Sequence, residues 1–165
     1  MRFCFEHTVP APRETVFWFF QNPARLAVLH AGWSTLRLLH HEGHVRVGAE
    51  TWVELTIAGV IPMVLGFRHM LFEPPGRFGE EAIHGAFKRF IHIHEFLARG
   101  EQTTVRDLLE VCLPWRFGGE AVMRRVVAPD IERMFHRRAQ VLTRLVNDGF
   151  LAEFAPRLAE PEGTI

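Results

Sequence analysis

EAVMRRVVAPDIERMFHRRAQVLTRLVNDGF, Glu120 to Phe150, decides the fold. Val122, Val126, Met134, Val141, Leu142 and Leu145 recur at helical spacing, and Arg and Glu fill much of the remainder. That pattern predicts one long amphipathic helix with an apolar stripe to bury. Pro129 interrupts it, because proline lacks the N–H that would bond back one turn, so a bend is expected there.

Upstream, the pattern favours strands. RFCFEHTV, Arg2 to Val9, reads as a strand with Phe3, Phe5, His7 and Val9 on one face. Pro10 ends it, and a helix starts near Pro12, where proline costs little in a first turn. Pro23 closes this helix and opens a second short one over ARLAVLH. STLRLLHH, VRVGAETWVELTIAG, IPMVLGFRHMLF, FGEEAIHGAF, KRFIHIHEFLA and TTVRDLLEVCL follow, each bounded by Gly, Pro or charge. Their spacing predicts consecutive antiparallel hairpins. The expected architecture is α+β: a curved antiparallel sheet whose inner face is buried by the C-terminal helix. One helix need not fill the concavity of a strongly bent sheet, so the many Phe and Leu side chains could line a cavity.

A chain of 165 residues suffices for one domain, burying roughly 70% of its unfolded surface. We expect that domain over residues 1–150, with an irregular tail over 151–165. The 19 basic and 19 acidic side chains cancel, which gives no basic excess for a nucleic-acid surface. Fifteen Phe, four Trp and no Tyr make apolar walls with few hydroxyl donors. Cys4 and Cys112 are too few for a disulfide framework or a cysteine zinc site. They read as small buried hydrophobes, compatible with a reducing cytoplasm. No apolar run approaches the roughly 20 residues that span a bilayer, so a soluble cytoplasmic protein without membrane insertion is expected.

KRFIHIHEF, Lys88 to Phe96, places two imidazoles on an otherwise apolar ribbon. A tight turn at Gly100 and Glu101 would set Phe96 against Val105, His94 against Asp107, His92 against Leu109 and Phe90 against Val111, all on one face. The opposite face carries Ile91, Ile93, Leu97 and Leu108 among charges, so alternation alone leaves the inner side open. One reading is a greasy pocket with polar groups at one depth, where His94 donates to Asp107 and a free imidazole nitrogen meets a ligand. Another is a buried His–Asp pair that only satisfies itself. A third is proton transfer, or a metal held by His92, His94 and Asp107. Phe67 and His69 on IPMVLGFRHMLF could add to the pocket wall, as could Met134 and Phe135 on the helix. Core packing is the alternative for each. Ser34 is the only serine, and neither a serine triad nor a phosphate loop is evident. WVELTIAGVIPMVLGF offers hairpin surface that could support a homodimer.

Several motifs in order resemble the START-like, or Bet v 1-like, superfamily of polyketide cyclases, dehydrases and lipid-transport proteins. The likeness spans Phe5 to about Arg138. It rests on FEHTVPAPRETVFWFFQNPARLAVL, EPPGRFGEEAIHGAFKRFIHIHEF, TTVRDLLEVCLPWRFGGE and FHRR. The resemblance implies a helix-grip fold, a seven-stranded antiparallel sheet around the long helix, with a central cavity. It implies binding or transport of an apolar small molecule such as a lipid, polyketide or quinone-like compound. Cyclase, dehydratase or hydrolase activity is the alternative, and a structural or interaction module the third. Phe90 stands where the family commonly has Trp, Gly79 replaces an Asp, and Val111 takes a position often filled by Tyr. These changes leave a more apolar wall and weaken any transfer of enzymatic chemistry. The matching family region is not usually metallic, so no metal and no cofactor are assigned. The candidate ligand-binding set is Phe67, His69, Phe90, His92, His94, Asp107, Leu109, Met134 and Phe135.

Overall fold

The structure, a computed structural model, describes residues 1–22, 25–30, 36–41, 43–57 and 59–154. Seven strands form one antiparallel sheet: β1 (Arg2–Val9), β2 (Leu36–His41), β3 (Glu50–Ile57), β4 (Ile61–Glu73), β5 (Arg77–His84), β6 (Arg89–Arg99) and β7 (Gln102–Cys112). Their spatial order is β1-β7-β6-β5-β4-β3-β2. From β2 onward every strand pairs with its successor, as short connections dictate. The first strand departs from this rule and lies on the far side of the last. Helices α1 (Arg13–Phe20) and α2 (Arg25–Leu29) fill the crossing between the two sheet edges. This is the helix-grip fold, with the sheet wrapped around the C-terminal helix.

The β6–β7 hairpin has the register that the sequence suggests. Phe96 opposes Val105, His94 opposes Asp107, His92 opposes Leu109 and Phe90 opposes Val111. Gly100 makes the turn at φ 63°, a left-handed conformation that costs a residue with a Cβ about 1–2 kcal/mol. Burial settles the parity left open by alternation: His92, His94 and Phe96 are 7%, 5% and 1% exposed, so this is the inner face.

The C-terminal helix is not one uniform rod. It runs as α3 (Gly119–Val122), a π-helical turn over Met123–Val127, and α4 (Ala128–Asn147). The irregularity expected at Pro129 therefore sits in the turn just before it. Pro129 offers no N–H to Arg125, and the widened i→i+5 turn spreads that missing bond over Met123–Val127. Within α4, Ile131, Phe135, Arg138 and Leu142 are buried, one stripe at spacings of three and four. Phe135 stacks on Phe5 of β1 at 4.5 Å between ring centroids, which locks the helix to that sheet edge.

One end of the interior is packed solid. Phe17, Phe19 and Phe20 of α1 meet Phe78, Phe96, Val105 and Leu142 there. The Thr103 hydroxyl donates to the Ala11 carbonyl at 2.7 Å, tying the start of α1 to β7. A second cluster joins Leu109 and Val111 to Met123, Val127, Ile131 and Phe135, and a third joins Val53, Leu65 and Phe67.

Two expectations need correction. Cys4 is exposed and Cys112 half-buried; both occupy the outer parity of their strands, opposite Phe5 and Val111. VRVG is a turn region preceding β3 and not part of a strand, although Val45 is buried in the core. The segment from residue 151 begins with a 3-10 turn, Phe150–Phe154, and Leu151 is 2% exposed. The rest of that segment, the Pro23 hinge and Ser34 lie outside the described residues.

Candidate functional site

Between the inner sheet face and α4 lies a pocket of about 160 Å³. Leu55, Leu65, Phe67, Phe90 and Leu109 supply much of its apolar wall from the sheet, Phe87 adds to it from the β5–β6 connection, and Ile131, Met134 and Phe135 close it from the helix. Of the nine residues singled out in the sequence, eight line this pocket: Phe67, His69, Phe90, His92, His94, Leu109, Met134 and Phe135. Asp107 does not. It is 2% exposed and sits behind the two imidazoles.

Asp107 organises the polar end. One of its oxygens, Oδ1, accepts from His92 Nε2 at 3.0 Å and lies 2.6 Å from His94 Nδ1. The same His94 Nδ1 accepts a hydrogen bond from Arg138 Nη2 at 3.3 Å, so Arg138 and Asp107 meet on one edge of that ring. The Arg138 guanidinium lies 3.6 Å from the same oxygen. It is also held by the ring faces of Phe20 and Phe135, at 4.9 and 5.4 Å from their centroids. The His92 and His94 rings are only 3.8 Å apart, centroid to centroid. Glu80 of β5 faces His92 across the β5–β6 pairing, with Oε1 3.8 Å from His92 Nδ1. Its other oxygen is 3.8 Å from His69 Nε2. His69 also contacts the Thr51 hydroxyl at 3.1 Å, and that hydroxyl meets His41 Nδ1 at 2.7 Å. His69 Nδ1 is buried without a hydrogen-bond partner among the described residues.

The charges follow from this geometry. Burial works against a charged His92, but the Asp107 hydrogen bond and Glu80 outweigh it and raise its pKa. Burial and the neighbouring His92 push His94 down to about 3, despite Asp107. Burial pushes His69 down as well, with Glu80 only partly opposing it. Glu80 falls to about 2 because the imidazoles around it, His92 first, outweigh its burial. Burial would raise Asp107, yet Arg138 and the two histidines hold its carboxyl well below the usual range. The set therefore gathers two carboxylates held in their ionised form around Arg138, with His92 shifted towards its charged form and His94 and His69 towards the neutral one.

Glu80 and Arg138 were missed by the reading of the sequence. Both had a signal. Glu80 shares the parity of Phe78, whose strand faces inward. Arg138 follows Met134 by four residues and Phe135 by three, so it falls on the same helix face.

No family model matches the sequence, and no curated protein is similar to it at the sequence level. Solved structures do share its fold. A protein from Thermus thermophilus superposes with a TM-score of 0.68 at 20% identity, covering 90% of this chain and 99% of that one. Ginseng major latex-like protein 151 from Panax ginseng gives 0.66 at 11% identity, over 87% and 95%. A point mutant of norcoclaurine synthase from Thalictrum flavum, in complex with a transition-state analogue, gives 0.67 at 15% identity, over 91% and 96%. The chain thus has the fold of the START-like, or Bet v 1-like, superfamily. At these identities the likeness carries the fold alone.

Proposed function

We propose that this protein binds an apolar small molecule bearing one polar end, of the lipid, polyketide or quinone-like kind, and carries it in the pocket. The observation behind this reading is the pocket's asymmetry. Leu, Phe and Met make most of its wall, with Asn22, Arg25, His30 and Asp130 also on the lining, while Glu80, His69, His92 and His94 gather on adjacent inward positions of β4, β5 and β6. Apolar burial at roughly 25 cal/mol per Å² supplies most of the affinity, and an imidazole orients the polar end. The fold neighbours support small-molecule binding, and no helix among the described residues is long and apolar enough to cross a membrane. We place the protein in the cytoplasm on its two unpaired thiols.

Native mass spectrometry of protein from its own host, with titration of a fluorescent apolar probe, tests this. A retained small molecule and saturable probe binding are expected. His94→Ala should weaken the probe only a few-fold, because apolar contacts dominate. Probe uptake that never saturates in folded protein would overturn the reading. A second reading, acid–base catalysis on a cyclic or polyketide-like substrate, draws on one feature: His94 lines the pocket with Asp107 2.6 Å behind its ring. Chemical conversion of the retained molecule, lost in His94→Ala, would favour it over simple carriage.

A further inference from the structure

Asp107 uses one nitrogen of each imidazole, and so leaves one nitrogen of each for something else. With His92 Nε2 bonded to Asp107 and His94 Nδ1 placed between Asp107 and Arg138, His92 Nδ1 and His94 Nε2 remain. The first of these faces Glu80. Its 3.8 Å separation from Glu80 Oε1 is too long for a hydrogen bond. It is close to what two ligands of one ion span: donors about 2.0–2.1 Å from a first-row metal stand about 3–3.4 Å apart. Donor atoms of Glu80, His92 and His94 all lie within 4.8 Å of one another. Closing that triangle onto an ion asks for shifts on the order of 1 Å in the side chains. All three residues line the pocket, beside its apolar wall.

A carboxylate bonded to the far nitrogen of a ligating histidine fixes its ring and raises its basicity, and such partners are the usual support of histidine metal sites. Here a single buried carboxylate supports two imidazoles at once. We infer that Glu80, His92 and His94 form a site for a divalent first-row transition metal, with Asp107 as the positioning residue behind both histidines. Two imidazoles and one carboxylate suit zinc, cobalt or iron better than magnesium or calcium, which prefer oxygen donors. The remaining coordination position would take the polar oxygen of a bound molecule or a water. The site does not depend on the pocket being a carrier.

The test uses full-length protein stripped with a chelator and titrated with Co²⁺ and Zn²⁺. One Co²⁺ per chain is expected, with d–d absorption and shifted His92 and His94 ring resonances in proton NMR. Glu80→Gln and Asp107→Asn should each weaken binding about 10–100-fold, and His94→Ala should abolish the absorption. Circular dichroism identifies any variant that fails to fold, and the wild-type NMR result stands without the variants. Absence of one-to-one uptake by folded wild-type protein would overturn the assignment. So would uptake that leaves the His92 and His94 resonances unmoved. Apolar-probe binding, measured on the same stripped sample, separates failure of the metal site from failure of the pocket reading.

Discussion

At the scale of single residues, the buried charges predict how stability depends on pH. His94 and His69 have folded pKa values below the ordinary 6.5. Each contributes stability that is present above pH 6.5 and lost as pH falls, because the unfolded chain binds the proton first. Glu80, lowered from 4.5 to about 2, adds a further loss between those values. His92 has the opposite sign: its raised pKa contributes stability below 6.5 that disappears as pH rises through the folded value. Urea midpoints are therefore expected to fall steadily from pH 6.5 towards 3, and a flat profile would contradict this charge assignment. Asp107→Asn should cost about 3–5 kcal/mol at neutral pH, since it leaves the Arg138 guanidinium buried without the carboxylate beside it. Urea unfolding measures this directly. The histidines and Asp107 could be found from the sequence because β6 and β7 are joined by a two-residue turn, and one register fixes all three. Glu80 comes from a strand whose pairing carries shifts, and Arg138 from a helix face that reads as a solvated basic stripe. Only the third dimension shows that Phe20 and Phe135 enclose that guanidinium.

Among elements, the junction between β7 and the C-terminal helix sets where the helix can lie. Gly118 stands at φ 85° between the 3-10 turn Trp115–Phe117 and α3. A Cβ there would come within 2.1 Å of Val122 Cγ2. Gly118→Ala is therefore expected to destabilise the protein by more than the about 1–2 kcal/mol of the left-handed backbone alone, read as a lowered denaturation midpoint. The elements themselves were legible: alternation gave the strands, and 3.6-residue spacing gave α4. What local pattern does not encode is the way the missing N–H of Pro129 is absorbed. A kink and a π turn satisfy the same constraint, and packing of Met123 and Val127 against Leu109 and Val111 goes with the second. The two cysteines were misplaced for a related reason. Composition makes cysteine a buried residue on average, whereas the parity of β1 and β7 puts Cys4 and Cys112 on the outer face.

For the whole molecule, the pocket predicts linkage between binding and stability. A ligand present at 100 times its Kd should add about 2.7 kcal/mol to unfolding, visible as a rise in Tm that grows with concentration. The sequence could announce a bent sheet and one helix, and hence a concavity. It could not announce how much of that concavity the side chains fill, because filling depends on where α1 and α4 dock. The aromatic residues of α1 pack one end solid, and residues of α2 and β3 line the pocket beside it. The placement of β1 beside β7 has a further bearing, on how the chain finds this shape. Thr8 and Thr104, hydroxyl to hydroxyl at 2.9 Å, are 96 residues apart in sequence. The successive hairpins from β2 to β7 can zip by local contacts, but the first-made strand must wait for the last partner to exist. Until then its Phe3, Phe5 and Val9 have no sheet to cover them. Synthesis thus leaves an apolar N-terminal ribbon uncovered for most of the chain's elongation, and the closing of the sheet is a slow, long-range event.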